Sequence, residues 1–412
     1  MKLFQRKQYL DKIIPHIDKN IIKIMVGMRR SGKSVILNQI KDYLFANKNI
    51  APENIVLIDK EKEKHDSMTT YKDLSLYIKN SFENVLGKKY LFIDEVQLIE
   101  NWEKTVNSLL KSGNYDLYLT GSNSTMLSSN ISTLISGRYI DFEIHPLSFK
   151  EYYEFIGDKF TDPNEAFDYY VRYGGLPYIL CYNKEQLEDD IIYQYLRAVY
   201  NTVLLKDIVE MHSIRDASEL DRISKYMFNN IGNITAAINI SKYLKTLKSG
   251  LAVATVISYL KYFTDSYLMH KCQRYDIEGK KMLTINSKFY SNDIGIINGI
   301  LGYSQKRIGG MLENIVYMEL LRKGYTVSVG YINGKEIDFI GEKRNKKVYI
   351  QVTLQLGDHE GNTYKREYTP LLSIKDNYPK YILSMEGKLA GEGEMGIKRV
   401  NIVEFLLDNN LL

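Results

Sequence analysis

An apolar run, Ile21–Val26, opens directly into Gly27-Met28-Arg29-Arg30-Ser31-Gly32-Lys33-Ser34, and helical spacing follows from Val35 to Phe45. A buried strand, a glycine turn and a helix start, in that order, match GxxxxGK[ST] in full. The glycines let the main chain wrap an anion with successive N–H groups facing inward. The helix start adds the positive end of its dipole. Residues Gly27 to Ser34, with Val35, are expected to hold the phosphates of ATP. Lys33 is expected to reach the β- and γ-phosphates, and Ser34 to ligate Mg²⁺. A guanine-reading Asn/Thr-Lys-x-Asp run is not apparent, so ATP is the expected nucleotide.

A second element completes the expectation. Tyr90–Ile93 is four apolar residues ending in Asp94 and Glu95. Two carboxylates at the C-terminal end of a buried strand stand where open α/β sheets bind ligands. Asp94 is placed to hold Mg²⁺ and Glu95 to act as general base on the attacking water. The strand Leu117–Leu119 runs into Thr120-Gly121-Ser122-Asn123 and is expected beside the Asp94 strand. Asn123, or Ser122, is the candidate for orienting the water, against an ordinary turn role. Arg138 is the candidate contact to the γ-phosphate, from its own chain or a neighbour, against a plain salt bridge.

Apolar strands alternating with helices imply an α/β fold, a three-layer parallel sheet covered on both faces, over residues 1–145. Helical periodicity dominates residues 146–231, a helical lid or connector interrupted by Tyr173-Gly174-Gly175-Leu176-Pro177. Residues 232–305 read helix, helix, hairpin, the order of a winged helix. Residues 306–412 read as a small α/β domain. Among 412 residues the net charge is +5, too mild to establish a nucleic-acid partner. Cys181 and Cys272 are far apart and form no CxxC, so zinc and thioredoxin-like chemistry lack support. His212, His270 and His359 are isolated and read as packing or surface residues. The N-terminus shows no signal-peptide run, and no stretch of about 18 apolar residues occurs, so a cytoplasmic protein without a membrane span is expected.

The combination GMRRSGKS (27–34), FIDEVQ (92–97), YLTGSNS (118–124), SGRY (136–139), HPLSFKEY (145–152), YGGLP (173–177) and LENIVYMEL (312–320) resembles the AAA-type P-loop ATPases of bacteria and archaea that carry a C-terminal domain of unknown function. The resemblance covers nearly the whole chain. It implies ATP binding, an AAA-like core, a helical lid, a winged helix and a nuclease-like tail. That tail resembles the PD-(D/E)xK fold, with Glu313, Asp338 and Gln351 in three of its positions. The expected lysine is Thr353, so a retired nuclease site used for binding or oligomer contacts is expected. Lys347 is the one substitute considered.

In a DNA-reading winged helix the second helix enters the major groove. Here that helix, about residues 252–263, offers only Thr255, Ser258 and Lys261, and none of the usual base readers. Lys242, Lys245 and Lys248 line the preceding helix and could touch phosphates. The expected function is therefore an ATPase that uses Mg²⁺·ATP hydrolysis to drive conformational change. The alternatives are an ATP-gated DNA-binding or nuclease protein, and a slow-turnover ATP-binding switch. DNA and a second copy of the chain are the partner classes left open.

Overall fold

The computed structural model describes residues 4–127, 134–182, 189–248, 250–356, 361–386, 394–408 and 411. His359 lies outside them. The chain divides into two compact units, Met1–His145 with Asp265–Tyr267, and Pro146–Thr264 with Leu268–Leu412.

The first unit runs α1 (Lys7–Ile13), β1 (Ile22–Val26), α2 (Lys33–Lys48), β2 (Ile55–Asp59), α3 (Tyr71–Ser81), β3 (Lys89–Asp94), α4 (Trp102–Ser112), β4 (Tyr115–Gly121) and β5 (Tyr139–Glu143). Its sheet has the order β2-β3-β4-β1-β5, and every pairing is parallel. All five residues of β1 are buried, which explains their near-continuous apolar character, since a parallel sheet is covered on both faces. Against one face pack α1 and α2 through Ile13, Ile36, Ile40 and Leu44. The Thr70 side chain caps α3 in a reciprocal capping box with Asp73.

Two features escape a reading by hydropathy. Lys23, in the middle of β1, is fully buried and forms an ion pair with the equally buried Asp116 of β4. Asp116 also accepts from the Tyr118 hydroxyl at 2.8 Å and from Asp18 N at 2.8 Å. Those bonds satisfy the charges inside the sheet. The fifth strand, β5, was not expected: it lies at the sheet edge, and among its five residues only Phe142 is buried.

The second unit runs α5 (Phe149–Ile156), α6 (Pro163–Tyr173), α7 (Asp189–Thr202), α8 (Ala217–Asn229), α9 (Ala237–Thr246), α10 (Val253–Asp265), β6 (Met269–Asp276), β7 (Lys281–Ser291), α11 (Ile294–Leu301), α12 (Ile308–Arg322), β8 (Thr326–Ile332), β9 (Lys335–Lys343), β10 (Lys346–Thr353), α13 (Asn362–Leu372), β11 (Lys380–Ser384), β12 (Ile397–Asn401) and α14 (Ile402–Leu407). After α7 the chain continues as a π-helix over Val203–Glu210. The last residue of α10, Asp265, belongs to the first unit.

Here the sequence boundary between 305 and 306 falls inside one sheet. Its order is β12-β11-β10-β9-β8-β6-β7. The β6–β7 hairpin, read from sequence as a wing, pairs through β6 with β8 in parallel, Arg274 to Val329 and Asp276 to Tyr331. The hairpin is therefore an extension of the C-terminal sheet, and a separate wing is not seen.

Two of the quoted sequence motifs, HPLSFKEY and YGGLP, meet in this unit. Leu147 N donates to Gly175 O at 2.7 Å, Tyr170 Oη donates to Leu147 O at 2.9 Å, and Gly175 N donates to Asp293 Oδ2 at 2.7 Å. Arg322 of α12 donates to Pro146 O at 3.3 Å. The paired glycines are needed sterically: a Cβ on Gly175 would stand 2.3 Å from Leu147 O. No helix among the described residues is long and apolar enough to cross a membrane.

Candidate functional site

At the C-terminal edge of the first sheet, β1 ends and the main chain turns through Gly27 (φ +142°), Arg30 (φ +68°) and Gly32 (φ +102°) into α2. These angles favour glycine, and at Gly27 space demands it too: an added Cβ would lie 2.3 Å from Ile144 O. No side chain among the described residues caps the start of α2, and no acid lies in its first turn. The Ser31 hydroxyl is buried with no hydrogen-bond partner among the described residues. An uncapped helix start, a glycine loop and an orphaned hydroxyl suit an anion.

Lys33 Nζ donates to Gly27 O at 3.0 Å and Met28 O at 3.1 Å, arching back across the loop. It also stands 3.6 Å from Glu95 Oε1. The Ser34 hydroxyl and Asp94 share a side-chain hydrogen bond. The structure thus brings Lys33, Ser34, Asp94 and Glu95 together, although 60 positions of sequence separate the pairs.

Strand β4 lies between β1 and β3, so its tip reaches both. At that tip Thr120 reaches both acids. Its hydroxyl donates to Asp94 Oδ1 and accepts from Glu95 N at 2.9 Å. Gln97 Nε2 donates to Glu95 Oε2 at 2.5 Å and to Ser122 Oγ at 3.2 Å. Ser122, one of the two sequence candidates, also hydrogen-bonds to the Glu95 carboxylate, whereas nothing local in the sequence singles out Thr120. Asn123 is buried and its Oδ1 accepts from Thr125 N at 2.8 Å, a side-chain turn.

Burial pushes the Asp94 carboxyl up, against the Ser34 and Thr120 hydrogen bonds, and Glu95 adds to the rise. Burial pushes Glu95 up too, but Lys33, Gln97 and Arg29 outweigh it and hold this carboxyl below its ordinary value. The backbone of Glu95 is left-handed, φ +55°, a conformation that costs a non-glycine residue and is concentrated at functional sites. Arg29 itself pairs with Glu61 at 2.7 Å.

Within its own chain Arg138 lies away from the loop. Its carbonyl accepts from Ile22 N, at the start of β1 and therefore at the opposite sheet edge from the loop. The intervening strand spans roughly 13 Å. Its guanidinium donates to Asn107 at 2.6 Å, so within its own chain it takes no part in the site.

In the second unit, Glu313 of α12, Asp338 of β9 and Gln351 of β10 line one cavity of about 1000 Å³. Thr353 bonds to Gln355 O at 3.1 Å. Lys347 pairs with Glu342 at 3.2 Å and lies against Tyr275 and Tyr349, so it is not the substitute. A lysine of β7 stands among these acids. Lys288 Nζ lies 2.7 Å from Glu313, 2.7 Å from Glu336 and 3.6 Å from Asp338. Burial disfavours its charge, but the three carboxylates outweigh that and keep it protonated. Gln351 bridges Asp338 N (2.7 Å) and Glu367 (2.8 Å). A lysine 25 residues before the first acid and 50 before the second carries no spacing signal, which is why the sequence hid it.

On the helices read as DNA-facing, Lys242, Lys245 and Lys248 are exposed. So are Ile238, Leu247 and Ile257, at 51%, 45% and 56%, and Ser258 bonds back to Ala254 O within its own helix at 3.2 Å. A face with that much aliphatic surface is ill suited to reading bases.

Comparison with known proteins agrees with this fold. A family model described as an AAA domain matches residues 19–153, and one for a domain of unknown function matches residues 164–307. An uncharacterised protein of Haemophilus influenzae is 34% identical over 411 residues, covering 98% of this chain and 99% of the relative. An uncharacterised protein of Methanocaldococcus jannaschii is 31% identical over 366 residues, 84% of this chain and 77% of the relative. Among solved structures, a Walker-type ATPase of Pyrococcus abyssi superposes with a TM-score of 0.51 at 15% identity, over 72% of this chain and 95% of that one. The loop after β1, the acid pair after β3 and these relatives together place the chain in the bacterial and archaeal family of AAA-type P-loop ATPases with a C-terminal domain of unknown function.

Proposed function

We propose that this chain binds Mg²⁺·ATP in the Gly27–Ser34 loop, hydrolyses it with Glu95, and uses the cycle to drive a change between nucleotide core and C-terminal unit. The supporting observation is the meeting of Lys33, Ser34, Asp94 and Glu95 at one sheet edge. The amides of residues 28–35 receive the phosphates, and Lys33 neutralises the β- and γ-oxygens. Ser34 and Asp94 are the oxygen ligands for Mg²⁺, which supplies charge neutralisation when bound. Glu95, ionised and steered by Gln97, takes the proton of the attacking water. Thr120 holds the Asp94 and Glu95 positions relative to each other. The test is phosphate release from ATP and GTP by wild type and Lys33→Ala. ATP-dependent release that Lys33→Ala abolishes is expected; equal release by both proteins would overturn the reading.

A second reading rests on Lys288. With Glu313, Asp338 and Gln351 it supplies acids and a cation in one open cavity, a donor set that fits a divalent ion and a phosphodiester. On this reading ATP gates a metal-dependent nuclease. Cleavage of single- or double-stranded DNA with Mg²⁺ or Mn²⁺, lost in Asp338→Asn, is the expected result. A wild type that neither cleaves DNA nor binds Mn²⁺ would leave the cluster a structural one.

A further inference from the structure

Arg6 precedes the nucleotide loop by some twenty residues, belongs to neither phosphate-site motif, and is only 3% exposed. Its Nη1 donates to Ser31 O at 2.9 Å and to His145 O at 2.8 Å. The guanidinium lies over the Tyr9 ring, 4.6 Å from its centroid, and the Tyr9 hydroxyl accepts from His145 N at 3.1 Å. Gln39 of α2 fixes the same segment, accepting from Arg6 N at 3.2 Å and donating to Phe4 O at 2.7 Å. The N-terminal strap is thereby bonded to the loop, to the helix the loop opens, and to the residue at which the chain leaves this unit.

The bond to Ser31 O has a direct consequence for phosphate binding. A trans peptide is planar, so its C=O and N–H point to opposite sides. Holding the Ser31 carbonyl on Arg6 turns the Gly32 N–H the other way, to the side of the loop away from the strap. Gly32 is left-handed at φ +102° and without a Cβ, so its flanking peptides can rotate more freely than most. Were the 31–32 peptide to flip, a carbonyl dipole would replace an amide in the phosphate cradle, exchanging attraction for repulsion.

We propose that Arg6 is a positioning residue for the nucleotide: it locks the 31–32 peptide so that the Gly32 amide faces the phosphates, and it ties that lock to His145 at the chain's exit from the unit. The inference rests on the ATP-binding reading above. Arg6 touches no substrate; it acts through the loop.

The test measures the Kd for Mg²⁺·ATP and for Mg²⁺·ADP in the full chain, with amide hydrogen exchange of the loop read without nucleotide. Arg6→Ala is expected to raise both Kd values by about tenfold or more, the loss of one charge-assisted bond, and to speed exchange in the peptide covering residues 27–33. Arg6→Lys, which keeps a cationic donor, is expected to recover most of the affinity. Ile13→Ala, at a buried residue of α1, the helix that Arg6 immediately precedes, controls for lost stability and is expected to bind as wild type does. An Arg6→Ala protein that binds like wild type, or an Ile13→Ala protein that loses as much affinity, overturns the inference while wild-type binding leaves the ATP reading standing. A wild type that binds neither nucleotide overturns both.

Discussion

Lys33 and Glu95 face each other at the loop with Nζ 3.6 Å from Oε1, their side chains 3% and 7% exposed. The Lys33 ammonium, with Arg29 behind it, holds the buried Glu95 carboxyl below its ordinary value.

Removing Lys33 therefore acts twice. Lys33→Ala deletes the phosphate cation and leaves Glu95 buried without its counter-charge, so that burial pushes its carboxyl up. Affinity for ATP is expected to fall by about a hundredfold or more, roughly 3 kcal/mol, measured by titration calorimetry.

Gly27→Ala tests the loop geometry. The new methyl would meet Ile144 O at 2.3 Å in a backbone of φ +142°. Loss of nucleotide binding is expected from the displaced loop. Gly113→Ala, also left-handed but in open space, is expected to cost roughly 1 kcal/mol and to leave binding unchanged. Calorimetry and urea melts separate the two.

The buried Lys23–Asp116 pair predicts a non-additive cycle. Lys23→Met strands the Asp116 charge inside the sheet and is expected to cost about 3–5 kcal/mol. The double variant Lys23→Met/Asp116→Leu is expected to be less destabilised than the sum of its singles, as read from urea midpoints.

Asp293 predicts a pH dependence. Burial pushes its carboxyl up to about 6, against the amides of Gly175 and Gly295 that hydrogen-bond to it. The folded value lies above the unfolded one near 3.8, so its contribution is full below about pH 4 and is lost as pH rises through 6. A shift of this size corresponds to roughly 3 kcal/mol. Asp293→Asn is expected to flatten the fall in stability between pH 4 and 6.5 relative to wild type, measured by urea midpoints across that range.

The parts of the fold legible in the sequence are those whose physics is local. Ile22–Val26 had to be a covered strand, and Gly27 to Ser34 had to be a turn into a helix, because neighbours in sequence carry both signals. Edge strand β5 did not announce itself, since only Phe142 of its residues is buried. Thr120 and Lys288 act through contacts made across 26 and 25 positions, and such contacts are decided by strand order and register, which no local pattern carries. The β6–β7 hairpin misled for the same reason: its sequence fits a free wing, and only the pairing of Arg274 with Val329 shows that it belongs to the larger sheet.

The most direct measurement is a comparison of wild type and Glu95→Gln by equilibrium ATP binding and by steady-state phosphate release on the same preparations. The account predicts that Glu95→Gln binds ATP at least as tightly as wild type, because a carboxylate beside the phosphates is gone, and releases phosphate about a hundredfold more slowly or worse. Undiminished release by Glu95→Gln, with ATP bound normally, would contradict the assignment of water activation to this carboxylate.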